Sequence, residues 1–246
     1  MVLELYNDDC FNILPKIEDK SVDLVVTDLP YNMTMNKWDA CVINLQLLWQ
    51  HYTRIVKDRG IIILFGLGKF TSDLIQSSPK NYYRYSLVWD KRNPVGYLNA
   101  NRQPMRQHED ILIFYKKAGT YNPQFTYAKP YRHTGSSQSS NYNTHFRCET
   151  NCGDGRRYPS SILSYSRDTH TIHPTQKPVA LLEYLIKTYS NVNDTILDNC
   201  MGGGSTAIAA NNLDRNFIGI EISKDYFQKC LERLRDASDI EEIDEE

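Results

Sequence analysis

Apolar residues fall into two kinds of run along this chain, and the two kinds alternate. "VLELY" (2–6) and "VDLVV" (22–26) have the length and composition of strands, with "FNILPKI" between them as a short helical or turn segment. "VINLQLLWQHYTRIV" (42–56) repeats its apolar residues at helical spacing, and "GIIILFG" (60–66) is a β-rich run flanked by glycines. Such alternation predicts an α/β fold, a mixed and mostly parallel sheet with helices on both faces. "YSLVW" (85–89) and "ILIFY" (111–115) supply two further strands.

From 116 to 170 the periodicity dissolves into a tract rich in turn formers, which reads as a long insertion and not as another βα unit. Its Tyr, Phe, Arg and His side chains exceed what a flexible linker needs, so a functional loop is expected. Order resumes at "HPTQKPVALLEYLIKTYS" (173–190), where Pro178 suits the first turn of a helix with Leu181, Leu182, Leu185 and Ile186 on its apolar face. "DTILDNCMGGGSTAIAANN" (194–212), "NFIGIEI" (216–222) and an amphipathic helix from about Ser223 to Arg235 complete the pattern. The expected organisation is a main domain of 1–115 and 171–235, an insertion of 116–170, and a frayed acidic tail of 236–246.

With 246 residues the chain can bury one substantial core. Its longest apolar runs fall far short of the roughly 20 residues that span a bilayer, so a cytoplasmic protein with no membrane segment is expected. The six scattered cysteines fit free thiols in a reducing compartment. The formal charge of −2 conceals an asymmetry, because the last eleven residues hold seven acids and no base. Without them the chain has 28 bases against 23 acids, and residues 81–170 alone carry 13 Lys/Arg against 6 Asp/Glu. That basic region, interleaved with amides and rings, suits a polyanion-binding face and equally an ordinary solvated surface.

Two short stretches carry chemistry. "TILDNCMGGGSTAIAA" reads as a strand, a glycine turn and a helix start, a form that offers unpaired N–H groups and close backbone approach to a ligand. Glu221, at the end of the next strand, stands where an acid accepts hydrogen bonds from a ribose, so a nucleoside ligand is expected. Gly202, Gly204 and Ala207 also satisfy the loose dinucleotide pattern, which keeps an NAD-linked oxidoreductase open. The second stretch, "DLPY" (28–31), sets an acid, a bend and a ring at a strand exit. By itself it fits a turn with a packed tyrosine as well as a grip on a planar heterocycle.

Taken together, these motifs resemble those of the DNA amino-methyltransferases. "DLPY" is similar to their [D/N/S]-P-P-[Y/F/W] motif, "LDNCMGGGST" to their S-adenosylmethionine (AdoMet) loop, "HPTQKP" to the segment that often precedes that loop, "YNDDCFNILPKI" to their opening motif, and "RQHEDILIFYK" to a recurrent strand. The order, catalytic motif before AdoMet loop with a variable region between, matches the circularly permuted β group. Leu29 departs from the usual first proline. Since the family uses that residue's carbonyl, the departure costs stiffness and not the acceptor.

The resemblance implies a Rossmann-like AdoMet-dependent fold whose 116–170 insertion recognises the target, and transfer of a methyl group to the exocyclic amine of an adenine flipped from double-stranded DNA; cytosine N4 is the alternative. Asp28 and the Leu29 carbonyl would accept the amine hydrogens, Pro30 would set the bend, and Tyr31 would stack on the base. Gly202, Gly204 and Asp198 would surround the methionine part of AdoMet, Glu221 would hold the ribose, Asp9 and Cys10 would lie near the adenine, and Ser205 and Asp28 would be further cofactor contacts. Thr175 and Lys177 would meet the methionine carboxylate. In the basic region, which begins near 91, Lys91, Arg92, Arg102, Arg106, Lys129, Arg132, Arg147, Arg156 and Arg157 are the candidate DNA contacts. Members of this group often dimerise. His145, Cys148 and Cys152 are one ligand short of a zinc site, and no metal is expected. A non-catalytic DNA-binding module would explain the basic insertion but leave the AdoMet loop without a use.

Overall fold

The computed structural model describes residues 2–31, 43–136, 147–169, 172 and 176–237. They form β1 (Leu3–Tyr6), α1 (Cys10–Ile13), β2 (Val22–Thr27), α2 (Leu45–Ile55), β3 (Val56–Gly66), α3 (Lys69–Ser77), β4 (Tyr83–Val95), β5 (Arg106–Phe114), β6 (Thr126–Tyr127), β7 (Tyr131–Ser136), β8 (Arg147–Cys152), β9 (Arg156–Arg157), β10 (Ile162–Ser164), α4 (Val179–Tyr189), β11 (Thr195–Asp198), α5 (Ser205–Asn211), β12 (Asn216–Ile220) and α6 (Lys224–Ala237). The chain divides into two compact units, one of Met1–Asn122 with Ser161–Glu246 and one of Pro123–Ser160.

The larger unit is built on an eight-stranded sheet in the order β1-β12-β11-β2-β3-β5-β4-β10. Only β5 runs against the others, pairing antiparallel with both β3 and β4. Strands buried on both faces read as continuous apolar runs, and the two-residue period of β3 sorts its run between two cores. Ile61, Ile63 and Phe65 join Leu181, Leu185, Ile186 and Ala207 of α4 and α5 on one face. Ile62 and Leu64 join Leu48, Trp49 and Tyr52 of α2 on the other.

Three elements differ from the sequence expectation. α3 has no counterpart there, because only Leu74 of its nine residues is fully buried and its cap, Gly68, has no side chain to announce it. β4 extends well beyond 85–89, while β5 falls within the recurrent strand that the resemblance gave over 106–116. β3 ends at Gly66, opposite Asp110, while β4 and β5 go on pairing through Trp89↔Glu109 and Asp90↔His108 to Val95↔Arg106. The hairpin therefore runs past the rim at which β2 and β3 stop. Finally, β10 pairs parallel with β4 as an edge strand, so residues 162–164 of the irregular tract belong to the main sheet. Three residues are too few to show a period.

In the smaller unit β6 pairs with β9 and β7 with β8, both antiparallel. The Phe125 and Tyr158 rings meet edge to face at 5.0 Å, and the Arg156 guanidinium lies 5.2 Å from the centre of the Phe125 ring. Among the described residues no helix is long and apolar enough to cross a membrane.

Candidate active site

In open α/β sheets ligands collect beyond the C-terminal ends of the strands. Here the neighbouring parallel strands β1, β12, β11 and β2 all deliver residues to one cavity of about 210 Å³, lined by Asp9 and Cys10 after β1, Asp28 after β2, Gly202 after β11 and Glu221 after β12. The pairing of Leu197 with Val25 brings the ends of β11 and β2 side by side, although they are far apart in sequence.

The glycine loop is held from both sides. Glu221 accepts the Gly202 N–H at 2.9 Å and the Ser223 N–H at 2.7 Å. Asp198 accepts the Cys200 N–H at 3.1 Å and the Thr206 hydroxyl at 2.6 Å, and burial pushes its pKa up to about 6. Arg233 of α6 donates to the Gly203 carbonyl at 3.0 Å and to Ser205 Oγ at 2.9 Å. Tyr52 of α2 donates to Asn199 Oδ1 at 2.5 Å, a buried tie that sequence reasoning missed. Gly204 is needed for a different reason from the one expected. It has φ +76° and faces Cys230 of α6, where a Cβ would collide with the sulfur, so its smallness serves helix packing and it does not line the cavity.

The other wall is charged. Asp28 Oδ1 accepts the Tyr31 hydroxyl at 2.6 Å, and Oδ2 is paired with the Lys177 ammonium. Lys177 lies 3.3 Å from Glu109 Oε2, and the other Glu109 oxygen is paired with Lys91. Burial raises the Asp28 pKa against the opposing pull of Lys177, while for Glu109 the two lysines outweigh burial and hold it below the ordinary carboxylate range. Burial and then the Asp28 charge push the Tyr31 hydroxyl well up, so it stays a donor. Behind it Phe70 packs on the Tyr31 ring at 4.9 Å. The Leu29 side chain is sunk in the α2 core.

Two of the expected roles change here. Lys177 was expected to face a ligand carboxylate, but its charge is met by Asp28 and Glu109. Lys91 was expected on the DNA-contacting surface; it is 3% exposed and paired with Glu109, because it sits in the same strand phase as Leu87 and Trp89, which point into the core. Glu109, absent from the expected site, shares the phase of Ile111 and Ile113. That alternation was the available signal for both.

Arg92, Arg102 and Arg106 are exposed on or beside the β4–β5 hairpin. In the smaller unit Lys129 and Arg156 are exposed, Arg156 pairs with Asp154, and Arg157 donates to the Lys129 carbonyl at 2.7 Å. Arg132 and Arg147 lie on β7 and β8. Thr175 and His145 lie outside the described residues.

The donor set of the cavity fits AdoMet. Carboxylates at Asp9, Asp28, Asp198 and Glu221 suit a cationic ligand with ribose hydroxyls, and the apolar side chains of Phe11 and Ile222 suit a purine.

Comparison with known proteins points the same way. The model of a family described as DNA methylase matches residues 22–232. The Type II methyltransferase M.BglII of Bacillus subtilis is 31% identical over 260 residues, covering 96% of this chain and 70% of that protein. M1.MboII of Moraxella bovis is 31% identical over 255 residues, covering 92% and 94%. The crystal structure of an M1.HpyAVI–SAM complex superposes with a TM-score of 0.63 at 28% identity, covering 94% of this chain and all of that one.

Proposed function

The chain belongs to the DNA methylase family, the AdoMet-dependent enzymes that methylate the amino groups of adenine or cytosine in DNA, and from that premise we propose that it methylates N6 of an adenine flipped out of duplex DNA. Membership excludes an NAD-linked oxidoreductase and a non-catalytic DNA-binding module. One observation carries the finer reading: the Asp28 carboxylate borders the same cavity as Gly202 and Glu221, so methyl donor and amine acceptor can share one space.

The amine of adenine is a poor nucleophile because its lone pair is delocalised into the ring. Two acceptors on its hydrogens favour a more tetrahedral nitrogen, and the Asp28 carboxylate with the Leu29 carbonyl would provide them. Leu29 has its side chain in the core, so this position contributes its main chain. Tyr31, with its hydroxyl on Asp28 and Phe70 packed on its ring, would stack on the extruded base. Bound AdoMet supplies an electrophilic methyl on a sulfonium; Glu221 would hold the ribose, Asp9 and Cys10 the adenine, and Gly202 and Asp198 the methionine part. Alignment and electrostatics then supply the rate. Asp in place of Ser at position 28 favours adenine over cytosine.

DNA contact is assigned to the β4–β5 hairpin, through Arg92, Arg102 and Arg106, and to the Pro123–Ser160 unit, through Lys129, Arg132, Arg147, Arg156 and Arg157. Residues 91–108 contain no Asp or Glu and are rich in Asn and Gln, a composition matched to phosphates and base edges. The test is transfer of label from methyl-tritiated AdoMet to unmethylated duplex DNA, followed by methylation-sensitive sequencing. Label confined to cytosine N4 would move the assignment to that base, and no label in DNA would sink it.

A further inference from the structure

We propose that Lys91 and Glu109 are positioning residues that act through Lys177 on the Asp28 carboxylate, Lys91 helping to keep it ionised and Glu109 sharing the ammonium so that Asp28 stays free to accept from the target amine. The proposal rests on the reading of Asp28 given above and deepens it. Lys91 on β4, Glu109 on β5, Lys177 just before α4 and Asp28 after β2 form one line of alternating charge, with every neighbouring pair in contact.

The cost of this arrangement argues for a use. The side chains of Lys91, Glu109 and Lys177 are 3%, 11% and 6% exposed. Buried ion pairs are often no more stable than well-packed apolar side chains of the same volume. Lys91 and Glu109 stand where strand alternation would accept Leu, Trp or Ile, as Leu87, Trp89, Ile111 and Ile113 do on the same face. A fold that needed only a core there would have one without charge.

The order of charges explains what the line does. Burial alone drives Asp28 toward its protonated form, which accepts less well from an amine. Lys177 opposes this, yet an ammonium given wholly to Asp28 would also blunt it as an acceptor. Glu109 takes a share of Lys177, since its Oε2 lies 3.3 Å from Nζ and, among the described residues, has no hydrogen-bond donor of its own. Lys91 balances the second acid and fixes its other oxygen. Aromatic walls line both ammoniums: Lys177 lies 4.9 Å from the Phe65 ring centre, and Lys91 lies 5.2 Å from that of Trp89. Such surroundings exclude water and strengthen each pair.

The two residues therefore have opposite effects on Asp28. Removing Lys91 leaves Glu109 with an unbalanced charge that draws Lys177 away, so Asp28 should protonate at higher pH. Removing the Glu109 charge gives Lys177 to Asp28 alone, so Asp28 should protonate at lower pH. Among the described residues, the charged and titratable groups around Asp28 are Lys177, Glu109, Tyr31 and Asp198; Lys91 also feels Arg167.

The experiment uses the full chain without DNA, its aspartates labelled with ¹³C at the carboxyl carbon, the Asp28 signal assigned by its loss in Asp28→Asn. Lys91→Met is expected to move the Asp28 titration to higher pH and Glu109→Gln to lower pH, with Lys91→Arg close to wild type. In parallel, both charge-removing variants should lower kcat by about 10- to 100-fold with little change in KM for AdoMet, and the acid limb of the kcat profile should shift in the same two directions. The double variant Lys91→Met/Glu109→Gln, which removes the two charges together, serves if a single variant fails to fold; its Asp28 signal should move to lower pH. An Asp28 titration unmoved in folded variants overturns the proposal. Shifts as expected in a chain that methylates no DNA would uphold the coupling and overturn the reading of Asp28 as the amine acceptor.

Discussion

Glu221 Oε2 accepts the Gly202 N–H at 2.9 Å, so the carboxylate after β12 holds the first glycine of the loop after β11 in place. Glu221 thus shapes the loop and also borders the cavity, and Glu221→Ala removes both contributions. AdoMet affinity is expected to fall about 10- to 100-fold, the worth of one charged hydrogen bond. Titration calorimetry measures it, and unchanged affinity would take Glu221 out of the site.

Asp28→Ala separates binding from chemistry. Methyl transfer to duplex DNA should be lost, while AdoMet binding stays within a few-fold of wild type, because the Gly202–Glu221 hydrogen bond is untouched. Full transfer activity in this variant would remove Asp28 from the mechanism.

Asp198 makes the fold pH-dependent in an unusual sense. Its carboxyl is held up at about 6 by burial, against an ordinary value of 3.8. Between those values the folded state binds more protons than the unfolded one, so stability falls as pH rises from about 4 to about 6 and is flat above. The loss is about 3 kcal/mol, readable by urea unfolding across that window and diminished in Asp198→Asn. A cationic ligand favours the ionised acid, so AdoMet binding near pH 6 should release protons. Calorimetry in two buffers of different ionisation enthalpy detects this; no net release would contradict the placement of Asp198 beside the bound cation.

Gly204→Ala tests the packing role of the loop's last glycine. The positive φ of +76° and the clash with Cys230 act together, and the loss of stability should be about 2–4 kcal/mol. Relief of the urea midpoint by Cys230→Ala in the Gly204→Ala background would identify the clash as the cause. A single variant as stable as wild type would refute both contributions.

The hairpin arginines are expected to act through phosphates and bases. Ala at Arg92, Arg102 or Arg106 should weaken DNA binding while lowering the slope of log K against log salt by about 1 for each phosphate left without its arginine. Filter binding at several salt concentrations reads this directly, and a wild-type slope in all three variants would clear the hairpin of a role at the phosphates.

Much of this fold was legible in the chain because its central strands are buried on both faces and its helices have one apolar side. β2, β3, α2, α4 and the β11–α5 turn all announce themselves that way. Short or weakly apolar elements did not: α3 buries a single residue fully, and β10 spans three. For the site, acids at strand exits were readable, since position in a βα unit determines them. The Lys177–Glu109–Lys91 line was not read, because its members come from separate elements and charge was equated with surface. Strand phase, applied to charged residues as strictly as to apolar ones, would have turned Lys91 and Glu109 inward.

The pairing of β1 with β12 also bears on when this protein becomes active during its synthesis. Asn7 Nδ2 donates to the Glu221 carbonyl at 2.8 Å across a separation of 214 residues. At a translation rate of 5–20 residues per second, roughly 10 to 40 s pass between the appearance of the two. For most of that interval, from the appearance of Tyr31 to that of Gly202, the emerging chain carries Asp28 and Tyr31 but lacks Gly202 and Glu221. A fragment of that length thus has one wall of the cavity, at Asp28 and Tyr31, before it has the other, at Gly202 and Glu221.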